Sequence, residues 1–306
     1  MAEQPILECV PNFSEGMNLE TVRSIVDAMR VDGVRLLDYS LDPDHNRSVV
    51  TIAGSPAEVV EAAVRAAGRA AELIDLTRQK GVHPRIGAAD VIPFVPAGGL
   101  SIAQAAMYAR QAGMQIWKRF GVPVYFYGAA ATRPDRVHLE DVRRGQFEGL
   151  REAIVTDSTR HPDIGGPELH PTAGASVVGA RTFLIAYNIY LAAGAEISQA
   201  RAVARELRGS SGGMTGVKAL GVLANGRAQV TMNVTDFTQT PMAAVHARVR
   251  ELAVQHGTSI AEGELIGLVP EAACKTGAEW LQEIPDFSPE EKVLERRLDH
   301  PMGWPA

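Results

Sequence analysis

A histidine, an arginine and a carboxylate lie close together in the run Lys80-Gly81-Val82-His83-Pro84-Arg85-Ile86-Gly87-Ala88-Ala89-Asp90. Proline pushes the residue before it out of the α region. His83 is therefore expected on extended backbone, between glycines that let a ligand approach the chain. An imidazole that titrates near neutral pH in such a junction suits general acid–base catalysis. A solvated loop histidine is the competing reading. The preceding helix is expected to end at about Gln79, and Val91-Ile92-Pro93-Phe94-Val95 to follow as a strand. Other histidines carry weaker signals. His45 sits in a turn rich in Asp and Asn, and His161 and His170 flank a Gly/Pro-rich loop. His138, His246, His256 and His300 are expected at polar or helical surfaces. No His-x-x-x-His, Cys-x-x-Cys or clustered carboxylates suggest a metal.

The elements that must position this segment follow from the hydrophobic periods. Ile6 to Val10 reads as a strand, and Leu19 to Met29 as a helix with Val22, Ile25, Val26 and Met29 on one face. Val34 to Asp38 and Ser48 to Ala53 read as strands. Ser55-Pro56-Ala57-Glu58 then opens a helix with a capping serine, a first-turn proline and a glutamate. That helix turns Val59, Ala63, Ala66, Ala67, Ala70 and Ile74 toward a core, and Val91 to Val95 completes a β-α-β-β-α-β order. A helix capped by Ser101 with Gln104 and a strand from Val122 to Tyr127 are appended.

The order then repeats. Strand Phe183 to Tyr187, helix Ile197 to Leu207, strands Val217 to Leu223 and Ala228 to Val234, a helix opened at Thr240-Pro241, and strand Leu265 to Val269 succeed one another. Asn225-Gly226 is a two-residue hairpin signal. The fold class expected is α+β, with two ferredoxin-like subdomains, 1–179 and 180–306, arising by duplication. A helical tail and a loose end at Pro301-Met302-Gly303-Trp304 close the chain. Gly209 to Gly216 follows a helix and precedes a strand, the reverse of a phosphate loop, and reads as a mobile connection.

The 306 residues suffice for about two domains. Hydrophobic content of 46% and charged content of 22% suit a globular chain, and a net charge of −6 argues against nucleic-acid or anionic-membrane binding. No apolar run is long enough to span a bilayer. Residues Met1 to Pro5 lack the character of a signal peptide, and only Cys9 and Cys274 are present. A reducing cytoplasm is the expected setting.

Three further stretches stand beside the histidine segment. They are Cys9-Val10-Pro11-Asn12-Phe13-Ser14-Glu15-Gly16, Asp44-His45-Asn46-Arg47-Ser48-Val49, and Asp163-Ile164-Gly165-Gly166-Pro167 running on through Pro171-Thr172-Ala173-Gly174-Ala175 to Gly179-Ala180-Arg181. From about Ile6 to about Ala273 the chain resembles the formiminotransferase family. These enzymes move a formimino group from N-formimino-L-glutamate to tetrahydrofolate. The resemblance implies paired subdomains with substrate between them and His83 as the catalytic residue. It also implies tetrahydrofolate as acceptor, with no metal, bound at Gly165, Gly166, Pro167, Glu168, Leu169, His170, Pro171, Thr172, Ala173 and Gly174. A linker is the competing reading of that stretch. Ala173 stands where relatives carry an aromatic residue, and Ser40 where some carry a carboxylate. Arg47 and Arg85 have the planar fork that binds a donor carboxylate, or each forms a surface ion pair. A homodimer fits the family. No second helical domain follows, so a fused cyclodeaminase activity is not expected. Formyl transfer, or a folate carrier without turnover, remains open.

Overall fold

The computed structural model describes residues 5–43, 45–81, 84–275, 277–285 and 287–305. The chain divides into two compact units, Met1–Arg181 with Pro301–Ala306, and Thr182–His300.

In the first unit, strand β1 (Ile6–Cys9) continues after Val10-Pro11 as β2 (Asn12–Phe13). Helix α1 (Leu19–Ala28) is capped by Asn18, whose side chain accepts the Thr21 N–H. Strands β3 (Arg35–Asp42) and β4 (Arg47–Gly54), helix α2 (Pro56–Leu73) and strand β5 (Ala89–Gly98) follow. β3 pairs β4, β4 pairs β1 and β2, and these pair β5, all antiparallel. Helix α3 (Ile102–Phe120), strand β6 (Val124–Gly128), helices α4 (Leu139–Val142) and α5 (Gln146–Thr156) and strand β7 (Ser176–Ala180) extend this arrangement. The Ser101–Gln104 capping box forms as expected.

Strand β7 carries Gly179 just inside the end of the first unit, which runs to Arg181. It slots in parallel between β5 and β6, with Gly179 opposite Pro93 on one side and Tyr127 on the other. Ser-Val-Val-Gly-Ala is too short to announce a strand; two flanking ladders make it one. Both faces of these parallel strands are covered, so apolar residues run almost without interruption. Ile92, Phe94, Val124, Phe126 and Val178 join the core shared with α1, α2 and α3. Val91, Tyr125, Tyr127 and Val177 join a smaller core with Val142 and Leu150 of α4 and α5.

Two further expectations change. Helix α2 stops at Leu73, six residues short of Gln79, because Ile74 turns extended and the Asp75 carboxylate accepts the Thr77 N–H and hydroxyl. The end of the chain is packed: Met302 N–H donates to Leu36 O at 2.8 Å, and the Arg30 guanidinium lies 6.0 Å from the Trp304 ring centre.

The second unit carries β8 (Ile185–Leu191), α6 (Ile197–Leu207), β9 (Val217–Ala224), β10 (Arg227–Val234), α7 (Met242–Gln255) and β11 (Ile260–Ile266). Its sheet runs β11-β8-β10-β9, antiparallel throughout. The same strand order relates β5, β1, β4 and β3 in the first unit. Asn225 and Gly226 both take positive φ and close the β9–β10 hairpin. β11 begins five residues upstream of the apolar run at 265–269 and ends within it, since a half-buried strand alternates: Gly263 and Leu265 face in, Glu262 and Glu264 do not. His246 is not at the surface. It occupies the inner stripe of α7 with Met242, Val245 and Val249, 3% exposed, its Nδ1 3.1 Å from Tyr187 Oη. Burial, and then Arg250, lower its pKa. Among the described residues no helix is long and apolar enough to cross a membrane.

Candidate active site

Three of the four motifs meet in the first unit. A narrow polar crevice is lined by Asn12, Phe13 and Ser14 from β2 and its exit, Asn46 and Arg47 from the turn into β4, and Arg85 and Asp90 at the entry to β5. β2 lies between β4 and β5 in the sheet, so pairing alone brings these distant stretches to one place. His83 lies outside the described residues. Downstream of it, Arg85 and Asp90 line the crevice.

Asn46 adopts φ 49°, a left-handed conformation that asparagine tolerates better than most residues. There its Oδ1 accepts the Gly16 N–H at 2.9 Å and its Nδ2 donates to Lys80 O at 2.8 Å. Arg47 follows, partly buried, and its pKa is lowered to about 10 by burial first and Arg143 second, with Asp90 and Asp42 opposing. A guanidinium so placed stays charged at neutral pH, and it stands beside a second one. That field suits a carboxylate.

Arg85 is nearly fully buried and already engaged. Its Nε donates to Gln79 Oε1 at 2.5 Å and its Nη2 to Gln79 O and Glu148 Oε1, both at 3.0 Å. Asp90, 2% exposed, accepts the Ile86 and Gly87 N–H groups on Oδ1 and pairs Arg143 through Oδ2. Arg143 and Glu148, from the α4–α5 layer, are absent from the motifs. The apolar spacing of Phe147, Leu150 and Ile154 marks a helix there. Nothing in sequence connects Glu148 to an arginine 63 residues away.

The ten-residue stretch from Gly165 splits into anchored ends and an open middle. Upstream, Asp163 pairs Arg136 at 2.6 Å and accepts the Phe126 N–H, while Ile164 pairs Val124. Downstream, Thr172 O accepts from Leu76 and Ala173 O from Ala88, tying this end to the flanks of the histidine segment. His170 Nδ1 accepts the Ala173 N–H at 3.0 Å, and burial lowers its pKa, which keeps that nitrogen an acceptor. Its role in the structure is to close the turn. Ala173 is buried in the main core, so position 173 offers no face for stacking. Gly165, Gly166, Pro167 and Glu168 remain exposed.

These features describe an α+β chain with a crevice that has arginines on one wall and a glycine-rich loop hydrogen-bonded beside it. The Formiminotransferase domain, N-terminal subdomain, matches residues 6–181, and the Formiminotransferase domain matches 186–298. The chain belongs to the formiminotransferase family. Glutamate formimidoyltransferase of Thermoplasma acidophilum is 40% identical over 299 residues, covering 96% of this chain and 97% of its own. The protein of that name from Streptococcus pyogenes serotype M1 is 39% identical over 96% of this chain and 98% of its own. Formimidoyltransferase-cyclodeaminase of Gallus gallus is 40% identical over 90% of this chain, which spans 52% of that larger relative.

Proposed function

We propose that this protein is a glutamate formimidoyltransferase acting in histidine breakdown, with His83 as general acid and base. The observation that carries the reading is near-full-length similarity to two relatives of that name. N5 of tetrahydrofolate attacks the amidine carbon of N-formimino-L-glutamate, giving a tetrahedral intermediate that expels the glutamate amine. His83 takes the proton from N5 and returns it to the departing nitrogen. The exposed span Gly165 to Glu168 meets the folate, and Leu169 to Gly174 anchors that span. Arg47 binds a carboxylate of the donor. Arg85, already bridged to Glu148, is the second candidate for that contact. A cytoplasmic location and a homodimer belong to the same proposal, on the family resemblance. Mixing the protein with formiminoglutamate and tetrahydrofolate should release free glutamate. Folate binding without release would identify a carrier, and turnover with a formyl donor alone would identify formyl transfer.

Arg47→Lys keeps the charge and loses the planar fork. If Arg47 holds the donor, KM for formiminoglutamate should rise by roughly one to two decades, the range of a charge-assisted pair worth about 1.5–3 kcal/mol. KM for tetrahydrofolate should stay near its wild-type value; a rise for folate alone would move Arg47 to the folate tail.

Gly166 isolates the folate span. A Cβ there meets nothing within 4 Å, whereas one at Gly165, where φ is +107°, would lie 3.1 Å from Pro123 and 3.2 Å from Trp117. Gly166→Val should therefore leave Tm unchanged and weaken tetrahydrofolate binding by at least about tenfold, ~1.4 kcal/mol. Equal weakening for both substrates would argue that this span does not contact folate.

A further inference from the structure

We propose that Trp117 is the stacking surface for the pterin ring of tetrahydrofolate, a role that the buried Ala173 leaves open. The inference rests on the proposed reading of Gly165 to Glu168 as the folate span, and it adds the side chain that faces the ring. Trp117 stands in the last turn of α3, where its carbonyl accepts the Gly121 N–H at 2.9 Å and Gly121 turns left-handed to stop the helix. Its indole lies outside the buried stripe of Ala105, Ala109, Ala112 and Ile116. One side of the ring instead meets Gly165, where a Cβ would stand 3.2 Å from Trp117 Cε3 and 3.1 Å from Pro123 Cβ. Only a residue without a side chain allows so close an approach at a φ of +107°. Trp117 is nevertheless 38% exposed, and Met114, one turn earlier on the same helix face, is 58% exposed. Any apolar chain could cover Pro123. A wide planar ring left partly in water, beside an open stretch of main chain, suits a flat heterocycle with a polar edge.

The sheet sets the distance from this ring to the arginine crevice. Ser14, Arg47 and Asp90 stand at the exit of β2 and the entries of β4 and β5, which pairing brings to one end of the sheet. β5, β7 and β6 run parallel, so the entry to β6, where Val124 pairs Ile164, lies at that same end. Gly165 and the indole follow directly from Ile164. Two strand spacings, about 10 Å, separate β5 from β6. That separation leaves room for a donor whose carboxylate sits on Arg47 and whose amidine meets N5 of a pterin held on Trp117.

The test is tetrahydrofolate binding by calorimetry under reducing conditions, for the full chain and two variants. Trp117→Leu still covers Pro123 but offers no ring, and Trp117→Phe keeps a smaller one. Kd should rise about tenfold in Trp117→Leu and no more than about threefold in Trp117→Phe, with KM for formiminoglutamate unchanged. The tenfold loss should vanish for p-aminobenzoyl-L-glutamate, the portion of folate without a pterin. Wild-type affinity in Trp117→Leu overturns the proposal, as does an equal loss for that fragment. Equal losses in both variants, with Tm lowered by more than about 4 °C, would make Trp117 a packing residue of the loop and overturn it too. The transfer reading is judged separately. Binding that depends on Trp117 without glutamate release sinks that reading alone, whereas glutamate release with normal folate binding by Trp117→Leu sinks the stacking alone.

Discussion

His83→Ala is expected to lower glutamate release about 10²–10⁴-fold, the range that positioned acid–base groups contribute. The same imidazole serves twice in the proposed reaction, so its loss removes both a base for N5 and an acid for the departing amine. The limb that His83 sets in the pH profile of kcat/KM should disappear with it. Its melting curve, run alongside the wild type, separates lost chemistry from lost fold. Near-wild-type release by a folded variant would take His83 out of the mechanism and return the choice to a carrier or to another base.

Gly174→Val is expected to be the most damaging change to stability. Gly174 sits at φ +68°, and a Cβ there would overlap the Ile86 carbonyl oxygen and come within 2.9 Å of Leu76 Cδ1. The left-handed conformation is strained for a β-branched residue, by about 1–3 kcal/mol. The overlap is with backbone that cannot swing aside, since Ile86 O accepts from Ala175. A total near 3 kcal/mol would lower Tm by roughly 6–12 °C in a unit of this size. A Tm within about 2 °C of the wild type would mean that the loop detaches from the histidine segment without cost to the fold. The contrast with Gly166→Val is diagnostic. One substitution tests the docking of the loop, the other the proposed folate contact.

Local rules were sufficient for much of the fold. Ser101 with Gln104 caps α3, Asn225-Gly226 turns the β9–β10 hairpin, and the stripe of α2 faces the core. They were insufficient where the environment assigns the structure. His246 looks like a surface residue because histidine is polar, yet period 3.6 places it beside Met242 and Val249 on the inner face of α7. β7 is a strand because β5 and β6 pair it, and β11 begins at Ile260 because edge strands alternate.

The candidate site divides the same way. The sequence by itself determined which residue types could do the chemistry: a histidine ahead of proline, arginines with a planar fork, and a glycine-rich run. Their spacing, and the resemblance they carry, marked the family. Tertiary structure alone decided what surrounds them. It set Arg85 against Glu148, buried Ala173 in the core, turned His170 inward to close its own loop, and made Asp90 the joint between the histidine segment and Arg143. The physical reason is range. Propensity, capping and turn chemistry act within a few residues, whereas a buried ion pair or a saturated backbone depends on strands and helices brought together by pairing and burial across the chain.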